Sequence, residues 1–245
     1  MKISVQMYSL REQIAKDGLD KVLSAVKAAG FDCVETAGFY GMTYPDFGAA
    51  VAKHGLYVSG SHTGVAELLT NPGGVLEMTD VLDFRDVIIP GIDPAEYKRD
   101  LKAVTDKIGR AADLCRKNGL RLAYHNHAAE FDGADYLQAF MDGVKGLLIE
   151  PDIFWLAVAG VEPLPYITKR VDRVMAVHLK ELSVKGEDDF SPVLGDGVSD
   201  TQNVLRFAVK SGIPYVVLEF EKFVGDYGAF LQKNANYIKK IIKES

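Results

Sequence analysis

"DLKAVTDKIGRAADLCRKNGLRLAYHNH" occupies residues 100–127 and holds one complete helix-to-strand step. Leu101, Val104, Ile108, Ala111, Ala112 and Cys115 recur with the 3.6-residue period of a helix that buries one face. Gly119 follows where a C-terminal cap is expected. "RLAYHNH" (121–127) then reads as a strand, apolar at first and imidazole-rich at its end. Outward from this step the same unit recurs. Strand-like runs fall at 3–10, 32–36, 57–62, 86–91, 121–127, 147–153, 174–180 and 214–221. Helical periodicity covers Asp20–Ala29, Asp100–Lys117, Thr201–Lys210 and Tyr227–Ile242, and Gly30, Gly55, Gly119 and Gly212 follow helical runs. Strands alternating with helices imply a parallel sheet. Eight such units in 245 residues match a closed (β/α)8 TIM barrel forming a single domain over 1–245. The competing open, doubly wound sheet would carry a G-x-G-x-x-G turn after its first strand. "SLREQIAKDG" stands there instead. The loop at 183–200 reads as an excursion above the barrel.

The composition narrows the function. A chain with 48% hydrophobic and 25% charged residues is globular and long enough to bury a core without staples. Its net charge of −6 argues against nucleic acid and anionic membrane surfaces as partners. No apolar run reaches the length of a membrane span. The N-terminus enters a strand pattern directly, without the features of a signal peptide, so a cytoplasmic location is expected. Cys33 and Cys115 have no metal-type spacing and read as reduced, buried thiols. His54, at the end of a helical run, is expected to be exposed.

In a closed barrel alternate strand residues point inward, and active sites form at the C-terminal strand ends. That parity sends Gln6 and Tyr8, Glu35, His62, His125 and His127, Glu150 and Asp152, His178 and Lys180, and Glu219 and Glu221 to one side. Burying so many ionisable groups is costly unless they are paired or bind a metal. Carboxylates and imidazoles together suit one divalent ion such as Mn, Zn, Co or Mg.

The segments "QMYSLRE", "GFDCVETAGFYG", "SGSHTG", "YHNHAAEF", "EPDIFW", "HLKEL" and "VVLEFE" resemble the sugar phosphate isomerase/epimerase family. That family belongs to the xylose isomerase-like TIM barrels. The resemblance runs from residue 3 to about 240 and implies one metal held by Glu130, Asp152, His178 and Glu219. His125, inside the strand, is the rival to Glu130. It further implies a sugar or polyol-derived ketone as substrate and an enediolate route. Glu130, Glu219 and His125 would carry the chemistry, and Tyr8, Glu35, His62, His127, Trp155 and Lys180 would contact the substrate. Isomerisation or epimerisation is the expected outcome. A lyase or dehydratase shares its first step, and a non-catalytic sugar-binding relative is a further alternative. A nuclease would need more metal ligands than five histidines and an acidic chain suggest. Whether copies of the chain assemble is left open. His178, at the barrel mouth, is expected to be replaceable by alanine with loss of the metal but not of the fold.

Overall fold

The computed structural model describes residues 1–183 and 191–245. Eight strands form one sheet: β1 (Lys2–Gln6), β2 (Cys33–Thr36), β3 (Tyr57–His62), β4 (Asp86–Ile89), β5 (Arg121–His125), β6 (Leu148–Glu150), β7 (Ala176–Leu179) and β8 (Tyr215–Leu218). Every pairing is parallel, in the order β6-β5-β4-β3-β2-β1-β8-β7. Two isolated parallel bridges, Ile149 with Val174 and Asp152 with His178, join β6 to β7 and bring the ring round. Buried on both faces, strands such as "DVII" and "YVVL" are nearly continuous apolar runs.

The helices cover the outside with the stripes the periodicity predicts. Leu101–Lys117 buries Val104, Ile108, Ala111, Ala112 and Cys115. Thr201–Lys210 and Tyr227–Glu244 bury Val204, Leu205 and Ala208, and Leu231, Ala235 and Ile238, respectively. Gly119 (φ 71°) takes the left-handed conformation that ends a helix and turns the chain into β5. Among the described residues no helix is long and apolar enough to cross a membrane.

Three expectations change in detail. The first strand stops at Gln6, because the Gln6 side-chain oxygen accepts the Tyr8 N–H at 3.1 Å and nucleates a 3-10 turn over Met7–Leu10. The sixth strand is only three residues long, ended by Pro151 and by the helix Ile153–Val158. His54 is only 15% exposed, since its Nε2 lies 2.9 Å from Asp20 Oδ1. Of the loop 183–200, residues 184–190 lie outside the described residues. The part from Ser191 onward is pinned by the buried Glu181 carboxylate, which accepts from Gly195 N, Ser199 N and Thr201 Oγ1.

Inside the barrel the side chains change character along the axis. At the N-terminal end Arg121 donates two hydrogen bonds to Asp86, each 2.6 Å. Farther along, Ile88, Ala123 and Met175 pack together with Leu148. A Cβ at Gly60 would come within 2.9 Å of Ile88 Cδ1, so the glycine leaves the room that Ile88 fills. Beyond this apolar layer come the polar groups of the mouth. The Arg121–Asp86 pair gives a stability prediction. Asp86 is 5% exposed, and burial raises its carboxyl above the usual range. Arg121→Met leaves that carboxylate without its partner and should lower unfolding stability by about 3 kcal/mol. Urea denaturation measures the loss, and adding Asp86→Asn should restore part of it; a single variant as stable as the parent would refute the pairing argument.

Candidate active site at the barrel mouth

Each side chain of the site is set by the end of a strand. Glu35 closes the inward face of β2 and is 2% exposed. Its Oε1 accepts from Gln6 Nε2 on the neighbouring β1 at 2.7 Å. His62 ends β3, His125 ends β5, Glu150 ends β6, and His178 lies within β7. Asp152 and Glu219 stand just past β6 and β8. His125, Glu150, Asp152 and His178 are essentially inaccessible to solvent.

His178 is the hub. Its Nδ1 lies 2.8 Å from Glu219 Oε2, and its Nε2 lies 2.9 Å from Glu35 Oε1 and 3.1 Å from Glu150 Oε2. The His125 ring packs edge-on against it with centroids 4.5 Å apart. Burial, the largest influence, works against charging His178, but attraction to Glu150 and Glu35 outweighs it and holds the imidazole well above its usual range. His62 is likewise opposed by burial, yet its bonds to Glu150 and Glu35 raise it to about 9. His125 goes the other way, down to about 4, through burial and the neighbouring His178 charge. Asp152 is pushed up to about 7 by burial and by Glu219.

Asp152 has a divided role. Its Oδ1 caps the following helix by accepting from Phe154 N at 2.8 Å and Trp155 N at 3.2 Å. Its Oδ2 is buried with no hydrogen-bond partner, and so is His125 Nδ1. Donor atoms of His125, Asp152, His178 and Glu219 lie within 4.8 Å of one another. Two orphaned donors in such a set are the feature a divalent ion would satisfy, and two imidazoles with two carboxylates suit zinc or a similar metal. The residues therefore fit a metal.

Glu130 sits apart from this set. Tyr124 donates its hydroxyl to Glu130 Oε1 at 2.7 Å, and the His127 N–H donates to Oε2 at 2.8 Å. Its carboxyl, raised by burial, holds the 3-10 turn Ala128–Phe131 against β5. Between the two rivals for the first ligand, the structure brings His125 into the cluster and engages Glu130 elsewhere.

A cavity of about 420 Å³ opens over the cluster, lined by Gln6, Tyr8, Ala37, His62, Pro90, His125, His127, Glu219 and Glu221. Tyr8 stands at its rim, 48% exposed, under the Arg11 guanidinium. His127 packs on Trp155 with ring centroids 5.2 Å apart and is lowered to about 3 by burial and by His125. Lys180 is fully buried, with Nζ 2.9 Å from Glu221 Oε1 and 3.6 Å from Glu219 Oε1. The same ammonium lies 4.3 Å from the Phe154 ring centre and 4.7 Å from that of Trp155. Burial opposes its charge, but Glu219, Asp152 and Glu221 outweigh it and raise the amine. Sequence reasoning gave no role to Glu150. The parity of β6 placed it on the inward face, and that was the available signal.

The sequence matches the family described as xylose isomerase-like TIM barrel over residues 23–241. No curated protein matches it. Among solved structures, a sugar phosphate isomerase/epimerase from Parabacteroides distasonis is 22% identical, with a TM-score of 0.78 over 96% of this chain and 93% of its own. A probable 3-DHS dehydratase involved in petrobactin synthesis, from Bacillus anthracis, is 12% identical, with a TM-score of 0.79 over 98% of this chain and 99% of its own. The IolI protein with a bound zinc atom is 13% identical, with a TM-score of 0.73 over 100% of this chain and 99% of its own. At these identities the likeness is one of fold.

Proposed function

Because the chain belongs to the xylose isomerase-like TIM barrel family, we propose that it is a divalent-metal-dependent isomerase or epimerase of a sugar or polyol-derived ketone. The observation that carries this reading is the buried set His125, Asp152, His178 and Glu219, two of whose donor atoms have no partner, at the floor of a sugar-sized cavity. These four residues would hold the ion, with His125 taking the place that the resemblance gave first to Glu130. Once bound, the ion would polarise the substrate carbonyl and stabilise the charge that develops on it.

The remaining work belongs to the side chains. Glu219 borders the cavity, and its carboxyl is held well below the usual range: burial opposes ionisation, but the hydrogen bond from His178 and the Lys180 charge prevail. It is therefore ionised near neutral pH and can take the proton from the carbon beside the carbonyl. The neutral His127 and the rim Tyr8 can hold hydroxyl groups. Trp155 backs the His127 ring and thereby fixes that wall. Glu130 fixes the turn that carries His127, so it acts on the site through position.

A second reading is a dehydratase or other lyase, in which the same enediolate expels a neighbouring substituent. Lys180 favours it, because a buried ammonium 3.6 Å from Glu219 could give a proton to a leaving group. One experiment tests both. The protein is incubated with metal and a panel of ketohexoses, inososes and 3-keto-glycosides in deuterated water, and products are followed by NMR. Deuterium in recovered sugar or a new epimer supports the isomerase. An unsaturated product or released aglycone supports the lyase. A panel in which one ketone binds tightly and none exchanges would refute both.

A further inference from the structure

We propose that Glu221 is a specificity-determining residue of the mouth. It accepts hydroxyl groups at the end of the substrate remote from the reacting carbonyl, and it turns away ketones that carry a phosphate there. The inference rests on the reading of this cavity as the ketone site.

Glu221 stands two residues beyond Glu219, and both line the same cavity. Two residues of chain span at most about 7 Å, so a ketone of about five or six carbons with its carbonyl at Glu219 reaches Glu221 with its far hydroxyls. The carboxylate is held in place from both ends. Lys180 Nζ donates to its Oε1 at 2.9 Å, and the Arg11 guanidinium lies 3.5 Å from its Oε2. Its backbone N–H donates to Ser191 Oγ at 3.2 Å. The side chain nevertheless stays 25% exposed at the cavity wall. A carboxylate only accepts hydrogen bonds and offers about four lone-pair positions. Lys180 takes one, which leaves positions for O–H donors of a substrate. An acceptor fixed in advance loses little entropy on binding.

The same residues set the charge that the mouth presents. Among the described residues that line the cavity, the charged groups other than imidazoles are the carboxylates of Glu219 and Glu221, with no lysine or arginine. Lys180 is fully buried behind them, engaged by both carboxylates and by the Phe154 and Trp155 rings. Arg11 is tied down at the rim. Its guanidinium lies 3.9 Å from the Tyr8 ring centre, and its Nη1 donates to the Tyr8 carbonyl at 2.7 Å. A phosphate beside Glu221 would meet a like charge, which disfavours that ligand. A hydroxyl in the same place meets an acceptor.

Calorimetry measures the affinities. Trp155, the only tryptophan, packs on the cavity-lining His127, so its fluorescence shows whether a ligand enters this cavity. The probes are neutral ketohexoses, inososes and 3-keto-glycosides, each paired with its analogue phosphorylated at the position farthest from the carbonyl. Zinc-loaded and metal-stripped protein are both titrated, because Glu221 lies outside the candidate metal set, and circular dichroism controls for folding. The parent should bind at least one neutral ketone about tenfold or more tightly than its phosphorylated partner. Glu221→Gln should weaken the neutral ketone and shrink that ratio severalfold. Arg11→Met, which removes a neutralising neighbour of Glu221, should widen it. Opposite changes from the two members of one ion pair are not what simple damage to the cavity produces. The proposal is overturned if no neutral ketone binds with a change in Trp155 fluorescence, or if the phosphorylated partner binds as tightly. It is equally overturned if Glu221→Gln keeps the parental ratio, or if Arg11→Met fails to widen it. Should the expected ratios appear while no ketone exchanges its proton, the catalytic reading fails and this one stands.

Discussion

Metal-free protein carrying His178→Ala should lose about 4 kcal/mol of unfolding stability, besides losing its metal. Glu35, Glu150 and Glu219 all converge on this one imidazole. Deleting it leaves three buried carboxylates without the cation that balances them, and stranding a buried charge costs roughly 3–5 kcal/mol. Urea unfolding of parent and variant, both stripped of metal, reads the difference. A loss under about 1 kcal/mol would mean that the carboxylates are neutral or hydrated, and the charge assignment would fall. This outcome differs from the expectation that a mouth residue could be removed without harm to the fold. Position along the barrel axis suggested a peripheral residue, whereas complete burial among carboxylates makes His178 part of the interior.

The largest kinetic effect should come from Glu219→Gln. The amide keeps the shape of the side chain and an oxygen for the ion, but it cannot take a proton. Exchange of the carbon-bound proton should therefore fall about a thousandfold, the range in which a general base acts. Binding of the substrate should change far less. Bound metal is measured on the same sample. If the variant keeps its metal and exchanges at the parental rate, the base lies elsewhere. If it loses the metal as well, restoring occupancy with excess ion separates the two roles: recovered exchange would remove Glu219 from the proton step.

Much of this was legible because a barrel obeys simple periodicities. The helix ending at Lys117, the cap at Gly119 and the polar end of β5 each follow from local pattern, and eight such steps close only one way. Strand parity also brought Glu35, His62, His125, Glu150, His178 and Glu219 to one face. What pattern could not convey is how two neighbouring candidate ligands divide their work. His125 and Glu130 are five positions apart, and only the turn at Ala128–Phe131 shows that the glutamate is occupied by Tyr124 and the His127 N–H. The cap offered by Asp152 Oδ1 and the free valence of its Oδ2 coexist on one carboxylate, so the choice between helix cap and ligand was never exclusive. Glu150 went without a role because its partners, His62 and His178, are 88 and 28 positions away in sequence.

The junction between β6 and β7 is the least stitched in the sheet, held by two isolated bridges where other neighbours form ladders. One of those bridges pairs Asp152 with His178, two residues that the proposed ion would share. An ion there would span the gap and work as a clasp, so that loading the site and closing the barrel become one event. Amide hydrogens over 148–152 and 174–179 should then exchange more slowly in metal-loaded protein than in stripped protein. The ladders on the far side, between β2 and β3, should be indifferent.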